Sequence, residues 1–198
     1  MSNSTQFART DKAIQAAFIS LLKSKPFEKI TVQDILDETP VSRATFYKHY
    51  HDKYEIAEKM QQEFVGMQRQ IVKAAIGVDS LQSSELLRRL SDRYREIMKC
   101  LLKVQTENVN LTHALSQDLA LDYLQRCNTP NKEIEAQVYG STITAFQVVC
   151  LERDVTELDA TAVVIHVLLT LLGLQDDSEA EAFLQKRIRQ AAEGKNRI

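Results

Sequence analysis

The 198 residues are 44% hydrophobic and 26% charged, with a formal net charge of -2, enough apolar material to bury a core as one large domain or as a small head on a larger body. Only 5 Gly and 3 Pro occur, against a usual combined frequency of about 12%, so repeated hairpins are excluded and the fold class is all-α. Charge alone does not point to nucleic acid: residues 1 to 60 hold 9 Lys/Arg against 8 Asp/Glu, and the remainder 16 against 19, so a DNA contact must rest on where single cations sit.

Residues 1–9 lack the apolar core of a signal peptide and read as a flexible arm, in which Arg9, with Lys12 just beyond, adds salt-sensitive attraction to DNA. A first helix is predicted from about Asp11 to Ser24, with Ala13, Ala17 and Leu21 on one line and Ile14, Phe18 and Leu22 beside it. Thr31 caps the next helix and Asp34 completes a capping box. Ile35 and Leu36 follow, and Pro40 disfavours a helical Thr39, which stops this helix. Ser42 caps another short helix. Phe46 and Tyr50, four apart, share the face that packs on its predecessor, while Ala44, Tyr47 and Lys48 fall on the opposite arc. The pair is a helix-turn-helix whose second member is small and polar enough at its start to enter a DNA major groove.

The string Phe27-Glu28-Lys29-Ile30-Thr31-Val32, then Asp34-Ile35, then Val41-Ser42-Arg43-Ala44-Thr45-Phe46-Tyr47-Lys48-His49-Tyr50 and Asp52-Lys53, resembles the DNA-binding region of the tetracycline-repressor-like (TetR) family over roughly residues 8 to 60. One departure stands out. That family commonly has Ala-Gly-Val in the turn; here it reads Thr39-Pro40-Val41, and proline cannot adopt the positive φ that glycine allows. Arg43 has the fork of donors that suits guanine O6 and N7, Ala44 can lie against a thymine methyl, and Lys48 reaches either a base or a phosphate. The resemblance implies that Thr45, Tyr47 and Lys53 bind backbone phosphate and that His49 joins them. Thr31 and Ser42 add their capping hydroxyls and nearby amides. Outside this motif Tyr47 would read as a packed aromatic and Lys48 as a solvated charge.

Asp52 and Glu55 form a further predicted capping box, opening a helix with Ile56, Met60, Phe64, Ile71 and Ala75 along one stripe. About 24 residues at 1.5 Å each reach roughly 36 Å, which makes this helix the mechanical link between head and body. The expected division is a DNA-binding domain over 1–53, including the arm, and an effector-binding and dimerisation domain over 54–198. A helix from Ser83 or Ser84 carries Leu87, Leu90, Tyr94, Ile97, Leu101 and Val104, and another from Val109 to Cys127 carries Leu111, Leu115, Leu119 and Tyr123. Thr129-Pro130 predicts a helix start with proline at the first helical position, running to about Arg153.

That helix is apolar on two sides, with Ile134, Val138, Ala145 and Val149 near one and Tyr139, Ile143, Phe146 and Cys150 near another. The next, capped by Thr156 with Asp159, has Val163, Val164, Ile165, Val167, Leu168, Leu169, Leu171 and Leu172 around its axis. Helices apolar all round need cover on every side, and a second copy of the chain supplies it. The expectation is a homodimer built from 134–152 and 157–173 of each subunit, with Ile134, Val138, Ala145, Val149, Val163, Val164, Val167, Leu168 and Leu171 in the interface. The alternative is a buried helical pair within a monomer. A last helix, from Ser178 to about Ala192, packs outside.

No glycine-rich phosphate loop, metal-ligand spacing or nucleophile motif occurs, so the reading is a binding protein, not an enzyme, with no cofactor and no metal. Cys100, Cys127 and Cys150, odd in number and without a secretion signal, read as reduced thiols in a cytoplasm. The longest apolar run, 160–174, falls short of the roughly 20 residues that span a bilayer, so no membrane is expected. By resemblance to the TetR family, the role is a transcriptional repressor released from a near-palindromic duplex by a small-molecule effector. Met60, Phe64, Met67, Met98, Leu101, Leu115, Tyr139 and Phe146 are its candidate pocket residues, each equally readable as core. One rival is a DNA-bound co-regulator whose body docks a partner protein; the other is a ligand-binding or enzymatic body carrying a degenerate head.

Overall fold

Apolar spacing and capping residues set the helices in the computed structural model, which describes residues 3–77 and 83–153. These form α1 (Asn3–Ser24), a 3-10 turn (Phe27–Lys29), α2 (Val32–Asp37), α3 (Arg43–Phe46), α4 (Lys53–Gly77), α5 (Ser83–Leu101), α6 (Leu111–Arg126) and α7 (Lys132–Glu152). Among the described residues every regular element is helical; the one extended feature is an isolated bridge between Gln105 and Asn110. The chain divides into two compact units, Met1–Gln147 and Val148–Ile198. The predicted helices over 157–173 and 178–192 lie outside the described residues, as do Val163, Val164, Val167, Leu168 and Leu171.

The head core follows the predicted lines. Ile14, Phe18 and Leu22 of α1 are buried, as are Ile30, Ile35, Phe46 and Tyr50 of the head and Ile56 of α4. Helix α1, however, begins at Asn3, eight residues ahead of its predicted start, so the arm is helical. The apolar periodicity starts only at Ala13; what supports the earlier turns is tertiary, the Phe7 ring stacked on His49 at 3.8 Å. At the head of α4, Asp52 Oδ1 accepts from the N–H groups of Tyr54 and Glu55, as a cap should. Glu55 does not close the predicted box. Its carboxylate reaches one residue further back, to the N–H and ring Nδ1 of His51.

The body is fastened to the head at two places. Chain continuity through α4 is one. The other is the end of α5, where Lys103 Nζ donates to Leu22 O at 2.9 Å, the Cys100 thiol lies 3.8 Å from Ile19 O, and Glu96 pairs with Lys23. Further out, Tyr94 of α5 stacks on Phe64 of α4 and its hydroxyl donates to the buried Gln68, whose amide in turn donates to Gln147 of α7. Burial raises the Tyr94 pKa and keeps that hydroxyl a donor.

Asn110 caps α6 by accepting from His113 N–H. Leu111, Leu115 and Leu119 are buried, at the predicted spacing of four. Helix α7 starts at Lys132, so Pro130 sits in the preceding turn and not at the first helical position; Thr129 O accepts from Lys132 N–H there, and the Thr129 hydroxyl donates to Glu135. The side α7 turns inward is its small one, Ala136, Gly140 and Thr144. A Cβ at Gly140 would run into the Ser116 carbonyl oxygen, so glycine permits the close approach of α6 and α7.

Candidate nucleic-acid interface

Two caps fix the short helices of the head. The Thr31 hydroxyl accepts from Asp34 N–H while Asp34 Oδ2 accepts from Thr31 N–H at 2.7 Å, the reciprocal box. Lys25 Nζ also donates to Asp34 Oδ2, and it is chiefly this bond, with those from Thr31, that lowers the Asp34 pKa to about 2. Ser42 Oγ accepts from Thr45 N–H at 3.2 Å and lies 2.9 Å from Thr45 Oγ1, so both hydroxyls are engaged at the start of α3. Helix α3 is a single turn continued by bonds from Lys48 N–H to Thr45 O and from His49 and Tyr50 N–H to Phe46 O.

Burial divides this segment into two faces. Phe46 and Tyr50 are fully buried, whereas Arg43, Ala44, Tyr47 and Lys48 are exposed, Tyr47 at 49%. An outward face with a guanidinium, a methyl, a phenol and an ammonium, anchored from behind by two aromatic rings, suits a major groove edged by phosphates. Thr31 is exposed and Thr45 partly so, on the same head.

Two sequence-predicted contacts take other positions. Lys53 Nζ donates to Phe27 O, Glu28 O and Ile30 O at 2.8 to 2.9 Å, using all three N–H groups. It also lies 4.6 Å from the Phe27 ring centroid and 5.4 Å from that of Tyr54. Burial lowers its pKa, yet carbonyls and rings surround the charge. Held this way it has no N–H left for a phosphate and instead closes the 3-10 turn. His49 is covered as well: its side chain is 3% exposed, between the Phe7 ring and Asp11, with Nδ1 3.9 Å from Asp11 Oδ1. Burial lowers its pKa, and the ring lies packed beneath Phe7.

Sequence reasoning passed over two residues of this region. Asp11 gathers three elements, accepting from the Tyr50 hydroxyl and from Lys59 Nζ at 2.8 and 2.9 Å. Gln33 of α2 accepts from Arg43 Nη2 and donates to Asp37. Its place one helical turn before Asp37 was a usable signal; its proximity to Arg43 comes only from the fold.

The predicted effector pocket is only partly assembled. Met60, Phe64 and Met67 line an open crevice of about 860 Å³ between α1, α4 and α5, together with Ile19, Ile97 and a rim of Lys12, Lys23, Glu63, Asp92, Arg93 and Glu96. Met98, Leu101 and Leu115 do not line it; they are packed core, at most 2% exposed. Tyr139 packs on Tyr123 in the α6–α7 contact, and Phe146 is half-buried away from the crevice. Ile134, Val138, Ala145 and Val149 of the predicted interface are all exposed on α7, Ile134 at 67%.

Residues 14–60, the segment that builds this head, match the family model for bacterial regulatory proteins of the tetR family. The match covers the head and not the body that follows it. A curated relative from Bacillus subtilis (strain 168), the uncharacterized HTH-type transcriptional regulator YxbF, is 42% identical over 55 residues. That similarity covers 27% of this chain and 14% of the relative's length. The similarity is thus confined to the helix-turn-helix segment that α1 to the start of α4 build. Among the described residues no helix is long and apolar enough to cross a membrane.

Proposed function

We propose that the chain is a dimeric, sequence-specific transcriptional repressor that holds a near-palindromic operator and is released from it by a small-molecule effector. The observation that carries the DNA-reading part is the exposed set Arg43, Ala44, Tyr47 and Lys48 above the buried Phe46 and Tyr50. In this reading residues 1–53 read DNA and 54–198 sense and dimerise. Arg43 and Ala44 meet base edges, Lys48 a base or phosphate, and Tyr47, Thr45, Ser42 and Thr31 the backbone. The exposed stripe Ile134, Val138, Ala145 and Val149 supports the dimer, since large apolar side chains along one helix face call for a covering surface. Two heads about 34 Å apart would enter successive major grooves.

The crevice beside α1, with its apolar floor of Met60, Phe64 and Met67, supports a small-molecule effector. An occupant that prefers one arrangement of α4 and α5 would shift the spacing of the heads. Selection of bound duplexes from a random pool, at a fixed and stated salt concentration, tests the reading. A two-fold symmetric consensus is expected, and no enrichment over non-specific binding would overturn it. Ile134→Asp with Val138→Asp should yield a monomer in sedimentation; a dimer surviving both would remove α7 from the interface.

A further inference from the structure

Arg43 is exposed at the first position of a one-turn helix, and no packing fixes its long side chain. What does touch it is Gln33, two residues into α2, whose Oε1 accepts from Arg43 Nη2. The Gln33 amide is itself oriented. Its Nε2 donates to Asp37 Oδ1 at 2.7 Å, one turn further along α2. Reversing the amide would set its oxygen against a carboxylate and its NH2 against a guanidinium, losing both bonds. Asp37, Gln33 and Arg43 therefore form a directed relay in which an acid fixes an amide and the amide fixes an arginine.

We infer that Gln33 is a positioning residue that sets the direction of the Arg43 guanidinium and so sharpens base choice at the position Arg43 reads. This rests on the reading of Arg43 as a base contact. One of the five guanidinium N–H groups is spent on Gln33, and four remain for a forked acceptor such as guanine O6 and N7. Bidentate recognition depends on direction, and an arginine free to swing loses much of it.

The test uses the full chain and the consensus duplex selected from a random pool, with each half-site base then varied singly. Arg43→Ala should erase the preference at one base position per half-site, on the order of tenfold. Gln33→Met, close in size but without the acceptor, should lower the preference at that same position several-fold, leave other positions unchanged, and leave the melting temperature unaltered. Gln33→Glu should pair with Arg43, weaken binding to all duplexes and reduce the salt slope by about one. If Arg43→Ala changes nothing, Arg43 reads no base and the inference falls with that reading. If Arg43→Ala acts while Gln33→Met matches the wild type, the positioning role alone is overturned. A loss of preference at a different base in Gln33→Met would make Gln33 a direct reader, which also overturns it.

Discussion

The Tyr50 hydroxyl donates to Asp11 Oδ1 across 39 residues of sequence, tying the end of the helix-turn-helix to α1. Lys59 of α4 donates to both oxygens of the same carboxylate, and Gln15 donates to the Tyr50 oxygen. Tyr50→Phe removes one charge-assisted bond and leaves Asp11 paired with Lys59, so a loss of about 1.5 kcal/mol is expected in urea unfolding. Asp11→Ala strands both donors at once and should cost about 3 kcal/mol. Equal losses from the two variants would show that Lys59 adds nothing to the junction.

Lys48 and Lys53 should separate cleanly. Lys48→Ala, at an exposed cation, is expected to weaken DNA binding and reduce the salt slope by about one while leaving the melting temperature unchanged. Lys53→Met strands three carbonyls of the 3-10 turn, so its first effect is a loss of about 2 kcal/mol in stability. A Lys53 variant with native stability and a flattened salt slope would return that lysine to the phosphate contacts.

Gly140 sits where α6 and α7 come nearest. Gly140→Ala places a methyl against the Ser116 carbonyl, a backbone atom that cannot swing aside. Even with the helix propensity gained by alanine, a net loss of about 1–2 kcal/mol is expected in urea unfolding. A variant as stable as the wild type would mean that α6 and α7 separate freely.

Acid should unfold the head in two stages. His49 has a folded pKa below its ordinary 6.5 because of burial, so the unfolded chain takes up the proton more readily. That contribution is complete above about pH 6.5 and is lost as pH falls through the folded value. Asp34 drops from 3.8 to about 2, so its contribution is present above about pH 4 and disappears between there and pH 2. Thermal unfolding against pH should show both segments. Asp34→Asn should shrink the lower one only, because Glu55, whose pKa is lowered by its bond from His51, contributes there too, and His49→Phe should remove the upper.

Local rules made the head legible in sequence: Thr31 with Asp34, Ser42 before α3, and Phe46 with Tyr50 one turn apart each act within four residues. What escaped was long-range. The carbonyls that hold Lys53 lie 23 to 26 residues before it, and a motif lysine shows nothing of such partners. The first turns of α1 carry no apolar period, and Phe7 acquires its reason only when His49 arrives beneath it. For α7 the outward apolar side was legible, but not the small side that packs inward. Gly140 and the Ser116 backbone decide that, turning the small side inward and leaving Ile134 and Val138 outside.

The grip of α5 on α1, through Lys103 on Leu22 O and Glu96 on Lys23, removes a degree of freedom. A block hung from one rod can swivel about it; a block held by two can travel only along the path both allow. Any sliding of α5 against α4 must then be delivered to α1 as a tilt of definite sense, not dissipated as wobble. Loosening that second strut should leave the block intact but aimless.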